Sequence, residues 1–228
     1  MDSNRKTAII VGVLFITALA SSMLSGQFLE SINDPDYLTA VSKNENKVLI
    51  GVLFMVALTV SVVAIPIMMF PILKMHNESL ALMYVGARIF EGFFDIVIAI
   101  SQLLLLTLSR EYVNAVAPVA SNFQTSAALL LALNEWASVV ENFPYGLGAL
   151  IFSYLLYRSK LIPRWLSGWG LIGATLMIAT GLWRMYDPSM IFLAIPLILN
   201  ELVLAVWLFA KGFISSAIVS ESVKTDLN

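Results

Sequence analysis

The chain has 228 residues, of which 59% are apolar and only 12% charged, with 13 Lys plus Arg against 15 Asp plus Glu. A soluble domain is roughly half apolar and a quarter charged, so this composition excludes a soluble globular protein. A formal charge of -2 provides neither the basic footprint of a nucleic-acid binder nor an acidic tail, which excludes nucleic acid as a partner. Without cysteine there is no disulfide, zinc thiolate site or haem attachment, and one histidine cannot build a multi-histidine metal site. Chemistry must rest on carboxylates, amides, hydroxyls and arginine, and no cofactor is implied.

A helix needs about 20 apolar residues to cross roughly 30 Å of hydrocarbon. Taken in chain order, residues 7–29, 48–70, 80–108, 165–185 and 191–210 meet that requirement. The first run follows Arg5 and Lys6 and ends in small residues, as a signal peptide would, but its apolar character persists to Leu29, so it reads as an uncleaved first helix. Residues 30–47 form an outer loop with Asn33, Asp34, Pro35 and Asp36 as turn chemistry. Residues 121–157 are ambiguous: one helix of that length would be about 55 Å long, whereas two crossings would be short.

Positive charge near membrane ends resolves this, because Lys and Arg concentrate on the cytoplasmic side. A single crossing puts Arg5, Lys6, Lys74, Arg158, Lys160, Arg164, Lys211 and Lys224 on one side, leaving only Lys43, Lys47 and Arg110 on the other. A double crossing moves the basic loop to the outside. The expectation is therefore an all-α polytopic bundle with six transmembrane helices, some kinked by proline, and both termini cytoplasmic. Residues 1–214 form one domain and 215–228 a polar cytoplasmic tail. The length before Pro144 demands a tilted, kinked helix or an extension standing above the bilayer.

An ionisable residue at bilayer depth costs about 2.5–3.5 kcal/mol on insertion scales, which makes each one a candidate functional residue. On the third span Tyr84, Arg88, Glu91, Asp95 and Gln102 fall on one stripe about 60° wide at 100° per residue. The fourth carries Asn134, Glu135, Ser138, Glu141 and Asn142 ahead of Pro144, which frees the carbonyl of Val140. The last carries Asn200 and Glu201 one turn after Pro196. Candidate ligand-binding residues are Arg88, Glu91, Asp95, Asn134, Glu135, Glu141, Asn200 and Glu201. Arg88 cannot neutralise five carboxylates, so the excess must be protonated, wet or matched by a bound cation. Oxygen-only ligation favours hard cations, and the metal, if any, is not specified. No catalytic residue is assigned.

The run from Leu73 to Gly92 (LKMHNESLALMYVGARIFEG), that from Leu155 to Ala174 (LLYRSKLIPRWLSGWGLIGA) and that from Leu199 to Phe213 (LNELVLAVWLFAKGF) resemble a family of bacterial multipass membrane proteins. That family is known only as domain of unknown function four-three-eight-six. The resemblance implies about six helices, a bacterial cytoplasmic membrane and no established activity, and it transfers no catalytic residues. The residues themselves point first to a protein that binds or transports a cation, proton or small amine at an intramembrane carboxylate site. An intramembrane lipid-modifying enzyme using Asp or Glu as acid and base is the second reading. A non-catalytic interaction or stress protein is the third. The expected partners are the lipid bilayer and a cation or small amine, with a homo-oligomer left open.

Overall fold

The structure is a computed structural model that describes residues 3–115 and 120–214. The tail expected at 215–228 lies outside them. The described residues form helices α1 (Ser3–Phe28), α2 (Tyr37–Lys43), α3 (Glu45–Leu73), α4 (Glu78–Asn114), α5 (Ala120–Ser159), α6 (Arg164–Arg184) and α7 (Ile195–Ala210). All but the short α2 belong to the six segments long and apolar enough to cross a membrane among the described residues. Backbone polar groups in lipid have no water to bond, and a helix satisfies them internally. The protein is thus a multipass integral membrane protein.

Residues 120–159 form one uninterrupted helix, so the ambiguous region makes a single span with Pro144 buried inside it. At 1.5 Å per residue α4 and α5 reach about 55 and 60 Å, nearly twice the hydrocarbon thickness. Their surplus is covered by α2, a helix within the outer loop expected at residues 30–47. α2 packs on α4, and its buried Leu38 and Val41 join Leu105, Leu106 and Ala127 in one apolar cluster. With only two buried residues, α2 carries too little periodicity to be legible alone. The expected turn chemistry is present just before it, where Asp34 Oδ1 accepts from the Asp36 amide at 2.8 Å. The last span begins with a 3-10 segment, Pro188–Ala194, and Pro196 lies in the first turn of α7. Proline fits there because a first-turn amide has no helical acceptor.

Each long helix packs chiefly on two neighbours, in the order α1, α3, α4, α5, α6, α7 and back to α1, so the six close a ring. Small residues set the spacing. A Cβ on Gly12 of α1 would stand 2.9 Å from the Ala205 carbonyl oxygen of α7, and one on Gly173 of α6 2.9 Å from Leu197 Cα. Arg5, Lys6, Lys74, Arg158, Lys160, Arg164 and Lys211 gather at one end, hereafter the basic end. There Arg5 donates to the carbonyls of Leu208, Phe209 and Ala210, satisfying the terminal acceptors of α7 and tying the start of α1 to the end of α7. Asn77 caps α4 by accepting from the Leu80 amide at 2.9 Å.

An apolar plug fills the ring toward the basic end. It draws on all six long helices, with Phe15, Met69, Tyr84, Phe152, Leu166 and Leu204 among its members. The Tyr84 and Phe152 rings stack at 4.8 Å, and Phe15 lies 6.2 Å from Phe152. The two glycines of α6 should respond oppositely to added bulk. Gly173→Val forces α6 off α7 and is expected to cost about 1–3 kcal/mol. Gly168→Ala meets nothing within 4 Å and should leave the melting temperature at or slightly above the parent value. Thermal unfolding of the detergent-purified variants checks both.

Candidate functional site

The stripe on α4 points into the ring: Tyr84, Arg88, Glu91, Asp95 and Gln102 are all buried. Arg88 lies ten residues into α4, about 15 Å from the basic end at 1.5 Å per residue, just above the aromatic plug. Its stem fits because α5 carries glycine opposite it, where a Cβ on Gly148 would stand 3.0 Å from Arg88 Cδ. Arg88 Nη1 donates to both Glu91 oxygens, at 3.1 and 2.8 Å. Nη2 lies 3.9 Å from Glu201 Oε1 on α7, and the guanidinium carbon stands 5.2 Å from the centre of the Tyr145 ring on α5. Tyr145 in turn donates its hydroxyl to Glu201 Oε2 at 2.8 Å. Four side chains thereby join α4, α5 and α7 through one cation.

Two further carboxylates face the same space with far less support. Gly92 lets α4 approach α3 closely, with Thr59 beside it, and Thr59 Oγ1 lies 3.4 Å from Asp95 Oδ2. The Thr59 hydroxyl has one hydrogen and already donates to the Met55 carbonyl at 2.9 Å, so it gives Asp95 little. Asp95 is nevertheless only 2% exposed. Glu141 is half-buried and lines the cavity without a hydrogen bond or salt bridge among the described residues.

These groups bound a cavity of about 210 Å³, room for roughly seven waters at ~30 Å³ each. Arg88, Glu91, Asp95, Glu141, Tyr145 and Glu201 form its polar wall, and the opposite wall, from α1, α3 and Ile198 of α7, is apolar apart from Ser22. Four carboxylates therefore share one guanidinium. Among the described residues no group of three or more His, Asp or Glu side chains is placed to hold a metal ion.

Three of the eight residues singled out by sequence lie elsewhere. Asn134 donates to Ser101 Oγ at 3.1 Å between α5 and α4. Glu135, half-exposed, pairs at 2.8 Å with Arg184 at the far end of α6, and Arg184 also donates to Ser138. Asn200 donates to the Leu166 carbonyl at 2.9 Å and fixes α7 against α6. Sequence reasoning missed Tyr145, although it lies one turn from Glu141 on the same face. It also left Arg184 unassigned. A signal existed for that pair, since the short turn after Ser159 makes α5 and α6 an antiparallel hairpin in which Gly170 meets Ser153 and Gly181 meets Asn142. Continued outward, that register puts Arg184 beside Ser138.

Removing Arg88 strands Glu91 and Glu201 in a desolvated place. Arg88→Met should therefore cost about 3–5 kcal/mol, and adding Glu91→Met should recover part of the loss. Arg184→Met should cost far less, because Glu135 keeps its water. Chemical or thermal unfolding in detergent compares the three.

The family described as domain of unknown function DUF4386 matches residues 10–212, nearly the whole chain. No curated protein and no solved structure matches it. The match takes in most of α1, every other long helix and the whole polar wall of the cavity, so the chain belongs to the DUF4386 family.

Proposed function

We propose that this membrane protein binds a small organic cation, an amine in its ammonium form, in the carboxylate-lined cavity, and carries it across the bilayer in exchange with protons. One observation bears the reading: Asp95 and Glu141 line the cavity without a salt bridge among the described residues, beside a network in which Arg88 is already engaged. Ionised carboxylates out of water are costly, and a bound cation or proton removes that cost. An ammonium suits the cavity better than a bare metal ion. It needs only two or three oxygen acceptors, its carbon substituents match the apolar wall, and Tyr145 offers a ring face and a hydroxyl. Asn134, Glu135 and Asn200 serve helix packing in this reading rather than the ligand.

Orientation follows from charge. The basic end faces the cytoplasm, because Lys and Arg of short loops are retained there, and the membrane is the cytoplasmic membrane of a bacterium. A reporter fused after residue 228 should read as cytoplasmic, and a periplasmic signal would reverse the assignment.

The binding test is thermal stability of the purified protein against methylammonium, ethylammonium, alkali and divalent cations. A selective amine at 100 times its dissociation constant should add about 2.7 kcal/mol. Glu141→Gln should abolish that gain while leaving the unliganded melting temperature near the parent, since Glu141 holds no other helix. Lowering the pH should weaken amine binding, because each proton taken up by a carboxylate removes the charge the ammonium requires. Stabilisation that survives Glu141→Gln together with Asp95→Asn would sink the site.

A further inference from the structure

The walls of the cavity differ in where they lead. Its charged face, on α4, α5 and Glu201, is deep in the ring, whereas Ser22, Met23 and Ile198 line it from α1 and α7 and are themselves exposed. Met23 is 71% and Ile198 42% exposed. Residues that line an interior cavity and also reach the molecular surface mark its mouth, which therefore lies at the seam between α1 and α7.

The seam is tight only toward the basic end. There Gly12 abuts Ala205 and Phe209, and Ala8, Val11 and Phe15 share the plug with Leu204 and Leu208. Farther along, the two helices turn to other partners. Ala194 and Leu197 of α7 join Ala149 and Met177 of α5 and α6, and the 3-10 segment before α7 packs on α6 and α7. Phe28 at the end of α1 and Leu29 just after it instead meet Gly51 of α3. Met23 lies six residues short of Leu29, where the apolar run ends, or about 9 Å at 1.5 Å per residue. The mouth thus faces acyl chains, not water. Inside it, Asp95 is nine-tenths buried, and its sole hydrogen-bond partner among the described residues is the already committed Thr59 hydroxyl.

We infer that the ligand is an amphiphilic amine that enters from the bilayer between α1 and α7. Its ammonium group sits among Asp95, Glu141 and Glu201, and its alkyl chain runs past Leu19, Met23 and Ile198 into the lipid. Charge complementarity selects the head, and the exposed apolar lip selects the tail. This inference rests on the amine reading above and adds the chemical class of substrate and its route.

The experiment measures binding of an n-alkylamine series, ethylamine to octylamine, to the protein in lipid nanodiscs, with Glu141→Gln as the blank for partitioning into lipid. Each added methylene should lower the dissociation constant roughly 3- to 4-fold until the chain emerges from the mouth. Ser22→Trp, at the mouth, should flatten this dependence, so that the gain in affinity from ethylamine to octylamine is lost. Met23→Trp should flatten it in the same way should Ser22→Trp fail to fold. Binding that Glu141→Gln removes but that is indifferent to chain length would overturn the lateral route while preserving the amine site. No specific binding of any amine would overturn both.

Discussion

The interior of this bundle is organised by one buried cation. Arg88 sits in a low-dielectric ring of helices where an unpaired guanidinium would be costly, and every group around it answers that cost. Glu91 pairs with it along α4, Glu201 approaches from α7, and Tyr145 of α5 offers its ring face to Arg88 and its hydroxyl to Glu201. Gly148 supplies the space the side chain needs. Because the members come from three helices, the network fixes their mutual register as well as balancing charge.

That balance is incomplete, and the imbalance is local. One guanidinium cannot offset the four carboxylates that line the cavity, and among the described residues two of them, Asp95 and Glu141, have no salt bridge. Below them the stack of Phe15, Phe152 and Tyr84 closes the ring toward the basic end. Above them α2 and the surplus lengths of α4 and α5 form a second apolar layer. The polar site is thus held between two dry layers, an arrangement that would force any ligand to replace the solvation its carboxylates lack. The proposed amine does so with charge at one end and hydrocarbon at the other.

Much of this was legible from residues alone, for identifiable reasons. The price of burying a peptide group or a charge in lipid leaves large compositional signals, so the spans, the inward stripe from Tyr84 to Gln102 and the gathering of basic residues at one end could be read directly. Helical periodicity put Arg88, Glu91 and Asp95 on one face because they share a helix. It said nothing of which face of α5 or α7 would meet them. Glu135 and Glu141 both stand as candidates in the sequence, on adjacent faces of one helix, yet Glu135 is taken by Arg184 through the register of the α5 and α6 hairpin, while Glu141 is left facing the cavity.

The sequence by itself determined the class, the six spans and the presence of unbalanced charge at membrane depth, because hydrophobic length and desolvation act residue by residue. Only the tertiary structure decided that the helices close into a ring, that Asn134, Glu135 and Asn200 stand apart from the cavity and bond to neighbouring helices, and that the cavity reaches the surface between α1 and α7. Those outcomes depend on helix rotation and spacing. Both are set by close approaches such as Gly12 on Ala205 and Gly173 on Leu197, contacts between residues remote in the chain that no local pattern encodes.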